Sequence, residues 1–287
     1  MVPLRAPKVK DLRGFNLSDG ATMEVPRSIP GQLRGLLHSA GRGACYLLVP
    51  LALFLSLWEL AVRLGGYPPF ILPSPELVWA RFLAAAGDGT LWRHTRVTLT
   101  EIFGGLALGL STATLLGYIL AKCKPLERIL SPLVVASQSM PIVALAPLII
   151  IWFGSGRLSK VLVCALTLFF PVLINTMVGI RSVGEEPYEL MRSLEASRWQ
   201  VFTKLEVPAA LPVILGGLKV GVTLSVIGAV VGEFVGADRG LGFLVNLARG
   251  LFDTPLMFVA LLTLAAIALA LYGMVAALEG FLLSWRR

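Results

Sequence analysis

Six apolar runs limit this chain to very few folds. They cover about Ala44–Leu64, Val97–Ala121, Leu130–Phe153, Lys160–Ile180, Pro208–Gly232 and Leu256–Leu283. At 1.5 Å per residue, each is long enough to cross a hydrocarbon layer of roughly 30 Å as a helix. The expectation is an all-α integral membrane fold with six transmembrane helices. The overall balance agrees, because 56% hydrophobic residues, 15% charged residues and a mean hydropathy of +0.80 lie far from the soluble average. A net charge of +8 would suit nucleic acid, yet the Lys and Arg residues flank the apolar runs and are not interleaved with aromatics on a polar domain. They read as basic flanks of membrane spans.

Residues 1–42 are polar, contain Gly and Pro, and carry seven basic residues. The first strongly apolar run starts too late and runs too long for a signal peptide. We read 1–42 as a cytoplasmic amino-terminal tail, with a membrane-surface helix near Gly31–Arg42 as the alternative, and 43–287 as the transmembrane domain. After the first run, GGYPPFILPSP breaks any helix. PELVWARFLAAAG then sets Leu77, Val78, Phe82 and Leu83 on one side, as an interfacial helix requires. With the amino terminus inside, 16 of the 25 Lys and Arg residues fall on the cytoplasmic side and 8 outside, Lys219 lying within a span. That asymmetry places both termini and the stretch 184–208 in the cytoplasm of a multi-pass protein of the inner (plasma) membrane.

Polar residues inside the runs are candidates for a translocation path, since at that depth they must face protein or water. Gln138, Ser139 and Met140 stand just before Pro141. Asn175 and Thr176 follow Pro171, and Ser225 and Glu233 lie in or at the end of the fifth run. Interhelical hydrogen bonding competes with the path reading for these groups. Gly217 with Gly221, and Gly228 with Gly232, are small-xxx-small pairs that let helix backbones approach closely. Lys219 is expected to snorkel toward the cytoplasmic edge, and Glu233 either gates or is simply exposed at the outer end. GLG at 240–242 reads as a tight turn before a short helix and not as a nucleotide fingerprint. Cys45, Cys123 and Cys164 lack paired spacing, and His38 and His94 are isolated, so no metal is expected. No GxxxxGK[ST] occurs and no nucleophile–base–acid set is apparent, so the chain is expected to bind no cofactor and to catalyse nothing by itself.

The longest charged segment, Gly184–Pro212, mixes Glu185, Glu186, Glu189, Arg192, Glu195 and Arg198 with Tyr188, Leu190, Met191, Leu194, Trp199 and Phe202. This pattern suits short amphipathic helices facing a partner. It resembles the EAA loop of ATP-binding-cassette importer permeases, with pattern EAA, three residues, Gly, nine residues, Ile, any residue, Leu-Pro. Counting back from Pro208 puts Val207 and Leu205 at the Leu and Ile positions and Glu189, Leu190 and Met191 at EAA. Two departures stand out: larger residues replace both alanines, and Glu195 occupies the glycine position, which puts the bend between two helices in doubt. Similarity extends over about 90–283, including ALAPLIIIWFGSG and GEFVGADRGLGFLV, toward the branch importing sulfonates, taurine, nitrate, bicarbonate, pyrimidine precursors or riboflavin.

The resemblance implies a type I importer permease fold. It also implies a cytoplasmic ATPase dimer holding ATP and Mg, an extracytoplasmic binding protein, and a second permease chain, most simply an identical copy. Tyr188, Glu189, Leu190, Met191, Leu194, Glu195, Ala196, Ser197, Arg198, Trp199, Phe202, Leu205 and Pro208 are then the expected ATPase-coupling residues. With Lys219 the one embedded cation, a neutral heterocyclic solute is preferred to an anion. Rival readings are an ion-coupled secondary transporter, which should show several intramembrane carboxylates, and a membrane enzyme, which should show a clustered polar site.

Overall fold

The computed structural model describes residues 49–284 apart from Ser139, without the side chains of Val135 and Gln138. The tail 1–42 and the start of the first apolar run lie outside the described residues. The chain divides into a unit ending at Ser56 and a unit beginning at Leu57. In the first, residues 49–56 are helical, and helix α1 is the stretch 49–65. The second contains α2 (Pro75–Gly87), α3 (Thr90–Lys122), α4 (Lys124–Gln138), α5 (Ile142–Phe153) and α6 (Arg157–Arg181). It continues with α7 (Glu185–Ser193), α8 (Arg198–Val201), a π-helical turn (Phe202–Glu206), α9 (Val207–Gly236), α10 (Leu241–Gly250) and α11 (Thr254–Leu282). No strand occurs among the described residues.

Among them, four helices are long and apolar enough to cross a membrane: α3, α6, the continuous run Arg198–Gly236, and α11. The third expected span is instead two helices. Pro141 has no N–H to return to the preceding turn and disfavours an α conformation at Met140, so α4 stops and α5 restarts after the proline. At 12 residues α5 is too short to span alone.

Glycines assemble the centre. An added Cβ on Gly105 would lie 2.2 Å from Cys164 Cβ, on Gly109 2.8 Å from the Ala165 carbonyl, and on Gly117 2.8 Å from that of Leu173. Numbers rise together, so α3 and α6 run parallel. On α9, Gly217 would meet Asn175 at 2.7 Å, Gly228 the Cys164 Cα at 2.8 Å and Gly232 the Lys160 Cα at 3.3 Å. These fall as the others rise, so α9 runs antiparallel to α6. Lipid gives no hydrophobic drive for such contacts, which leaves close van der Waals packing to hold them. Cys164 is wholly buried between both neighbours, as expected of a packing residue.

α10, α11 and α2 close the bundle around Leu241, Leu244, Val259 and Ala260. Asp253 caps α11 at Leu256 N and accepts from Arg81 of α2 at 2.9 Å, while Thr254 Oγ1 donates to the Phe70 carbonyl at 2.6 Å. α2 is the short helix expected after GGYPPFILPSP, capped by Ser74.

Candidate functional site

The charged segment folds as a helical knob at the end of the bundle where α3 and α6 finish and α9 starts. α7 ends with the Glu195 N–H on the Arg192 carbonyl and the Ala196 N–H on the Met191 carbonyl, both at 3.0 Å, the paired bonds of a Schellman motif. The motif needs a left-handed residue between them, and Glu195 supplies it at φ 51°. The bend survives the loss of glycine. Ser197 then opens α8 through a capping box: its Oγ accepts from Gln200 N, and its own N–H donates to Gln200 Oε1 at 2.8 Å. The π-helical turn follows because Pro208 has no N–H to offer Lys204; Val207 N–H reaches back to Phe202 instead.

Three apolar side chains stand exposed on this knob: Leu190 is 60% exposed, Leu194 67% and Trp199 71%. Glu189, Glu195, Ser197 and Arg198 are also exposed, whereas Tyr188, Met191, Ala196, Phe202, Leu205 and Pro208 are half-buried. Beneath them lies Glu206, 3% exposed. It accepts from Tyr118 Oη at 3.0 Å, from Tyr188 Oη at 3.2 Å and from Lys122 Nζ, and Lys122 also donates to Tyr188 at 3.1 Å. Rings continue the same connection, Trp199 to Phe202 at 5.5 Å and Phe202 to Tyr118 edge-on at 5.3 Å. Beside this, the Arg181 guanidinium bonds Glu127 and holds its carboxyl below the ordinary range, tying α6 to α4. Sequence reasoning gave Glu206 no role. The available signal was its place at the very start of an apolar run, where a carboxylate must find partners.

Among the described residues, the candidate path residues are not gathered in one place. The Gln138 side chain and Ser139 lie outside the described structure, and Met140 is 59% exposed. Asn175 donates to the Pro171 carbonyl at 2.8 Å, toward the knob end of α6. Ser225 is buried and donates to Val222 O at 2.8 Å. Lys219 does not snorkel free, since it is paired with Glu279 of α11 and lies over the Tyr272 ring.

Glu233, at the opposite end, is 1% exposed, which removes the reading of simple exposure. One carboxyl oxygen accepts from Thr98 Oγ1 at 2.7 Å and the other from Gly242 N–H. It thereby caps α10, whose amino terminus favours a carboxylate. Thr98 and His94 complete the seat by accepting from the Leu241 and Gly240 N–H groups at 2.8 and 3.0 Å. Gly240 has φ 119°, and any Cβ there would strike the Glu233 carboxyl, so the tight turn before a short helix is glycine-dependent. Among the described residues no group of three His, Cys, Asp or Glu could hold a metal.

The glycine-packed bundle of long apolar helices thus carries a structured, apolar-tipped knob at one end. Residues 113–282 match the family described as binding-protein-dependent transport system inner membrane component, and the chain belongs to it. It is 54% identical over 237 residues to the riboflavin transport system permease protein RibX of Chloroflexus aurantiacus, covering 83% of this chain and 88% of that one. It is 37% identical over 243 residues to the formylaminopyrimidine transport permease protein ThiX of Halalkalibacterium halodurans, covering 84% and 96%. In fold it is similar to a chain from inward-facing structures of the MetNI methionine ABC transporter, with TM-score 0.55 and 20% identity over 67% of this chain and 94% of that one. The protein is the permease subunit of an ABC importer, a multi-pass inner-membrane protein.

Proposed function

We propose that this permease imports a heterocyclic vitamin or precursor, riboflavin or a pyrimidine, delivered by an extracytoplasmic binding protein. A cytoplasmic ATPase dimer, holding ATP and Mg, drives it by gripping the knob 185–206; this chain hydrolyses nothing and binds no cofactor. Both termini and the knob are cytoplasmic, and a second, identical permease chain completes the channel. The substrate reading is carried by the 54% identity to a riboflavin permease. The Lys219–Glu279 pair supports it, because that membrane-embedded cation is already neutralised and is not free to attract an anion.

Import of a sulfonate, taurine, nitrate or bicarbonate is the second reading, favoured by the arginines at the end of the bundle opposite the knob. Vesicles reconstituted with the chain and its cognate ATPase and binding protein decide between them. The expected result is ATP-dependent accumulation of riboflavin that requires the binding protein. Taurine uptake without riboflavin uptake moves the substrate to the second reading.

A further inference from the structure

A neutral solute leaves the arginines opposite the knob without an anion to bind. Arg93 and Arg96 of α3, Arg157 at the start of α6 and Arg239 in the turn before α10 line one cavity of about 540 Å³, with Trp92 on its wall. Arg93, Arg96 and Arg157 make no ion pair among the described residues, and Arg239 has only Asp238, at 3.9 Å. The other exposed carboxylate within electrostatic reach is Asp88, near Arg93. Four guanidiniums against two carboxylates leave the cavity positive. α6 begins at Arg157 without a side-chain cap, so its amino terminus adds partial positive charge on the same side. Glu101 does not line this cavity; it is buried against Glu233.

The cavity runs into an apolar strip. From Arg96 the exposed face of α3 continues through Thr100, Phe103, Ala107, Ser111 and Leu115, at the three- and four-residue steps of one helix face. Phe103 is 49% exposed and Leu115 65%. Thr100 and Ser111 donate to the Val97 and Ala107 carbonyls of their own helix, both at 2.7 Å, so their hydroxyls are satisfied and the strip presents hydrocarbon.

We infer that the cavity seats the phosphate headgroup of an anionic phospholipid whose acyl chains lie along the α3 strip. Its volume falls within the range of small-molecule sites, roughly 300–1,000 Å³. Guanidinium forks match phosphate oxygens in pairs, and an indole beside them suits the headgroup level of a bilayer. A free anion would use the arginines and have no use for the strip. A water-soluble protein would meet the arginines end-on and leave the strip bare. An amphiphile uses both. The inference depends neither on which solute is carried nor on which leaflet this end reaches. A bound phosphate also neutralises the cavity, so these arginines cease to argue for an anionic solute.

The test uses the complete complex of permease and ATPase, delipidated in detergent, with native mass spectrometry and thermal unfolding as readouts. Dioleoyl phosphatidylglycerol, dioleoyl phosphatidylcholine and inorganic phosphate are added separately. The expected result is selective retention of phosphatidylglycerol and a higher unfolding temperature with it alone. Arg93→Gln combined with Arg96→Gln, both exposed side chains, should weaken its retention about 25-fold, at roughly fivefold per arginine. Should that pair fail to assemble, Arg239→Gln serves alone, its side chain being 64% exposed; about fivefold weaker retention supports the seat and unchanged retention overturns it. Stabilisation by inorganic phosphate equal to that by phosphatidylglycerol would make this a free-anion site and overturn the lipid. Equal retention of both phospholipids, or retention of neither, also overturns it, the first showing unselective lipid and the second a strip covered by another chain. If the double variant bound its cognate binding protein more weakly yet kept phosphatidylglycerol, the cavity would be a protein-docking surface instead.

Discussion

Glu195 sits at φ 51° in a left-handed conformation that costs a non-glycine residue roughly 1–2 kcal/mol. The Schellman bonds on either side hold it there, so the bend is written in backbone geometry and tolerates an unfavourable residue. Glu195→Gly should relieve the strain, partly offset by the greater freedom of glycine in the unfolded chain, for a net gain below about 1 kcal/mol and unchanged transport. Glu195→Val should do the opposite, since a β-branched residue is a true outlier at positive φ. Hydrogen exchange across 191–197 checks both: faster exchange in the valine variant and slower in the glycine variant. The register from Pro208 back to Glu195 was legible in sequence. Its conformational consequence was not, because a motif records which residue is usual and not how firmly neighbouring hydrogen bonds impose the turn. Glu233 is the converse case. Its position was noticed, but its partners at Thr98 and Gly242 are 135 and 9 residues away, and only the fold brings them together.

Among the elements, α3, α6, α9 and α11 were readable from length and hydropathy alone, and α2 and α10 from the prolines and glycines before them. What hydropathy misjudged was the stretch 130–153, because a window average sees apolar residues and is blind to the missing N–H of Pro141. The small-residue face of α9 was also readable, whereas the matching face of α3 (Gly105, Gly109, Ala113, Gly117) was overlooked although it recurs every fourth residue. That face makes a definite prediction. Gly105→Ala puts a methyl 2.2 Å from Cys164 Cβ and must push α3 from α6, an overpacking cost of about 1–3 kcal/mol. Cys164→Gly removes the nearest atom and leaves Ala165 N and the residue-164 carbonyl carbon at 3.2 and 3.3 Å, so the double variant should lose less than the sum of the two single losses, a non-additivity expected of residues in contact. Gly273→Ala, with nothing within 4 Å of the added methyl, should be neutral or slightly stabilising and serves as the control. Thermal unfolding of the four variants in one detergent reads this out, and additive losses at 105 and 164 would show the helices are not in contact there.

For the whole molecule, the question raised by the proposed ATPase grip is how a movement at the knob would reach the membrane helices. On that proposal, docking and transmission fall on different residues. Leu194 and Trp199 face outward with most of their surface free, as anchors for an apolar groove must. Glu206 is buried beneath them and joins the loop to α3 through Tyr118, Lys122 and Tyr188, with the ring series Trp199–Phe202–Tyr118 alongside. A rigid link of this kind carries force only while its members move together. The two layers should therefore fail differently. Trp199→Asp places a charge where an apolar contact is needed, so the ATPase should no longer copurify and uptake should be lost with it, while the permease itself remains monodisperse. Glu206→Gln leaves the exposed face intact but weakens three bonds at the base. Its complex should still assemble and hydrolyse ATP, yet move severalfold less solute per ATP consumed. Measuring copurification, ATP hydrolysis and uptake on the same preparations separates the outcomes. If Glu206→Gln instead lost the ATPase, the base would be part of the docking surface. If it kept full coupling, force would have to enter the bundle by the other covalent route, through α7 into α6.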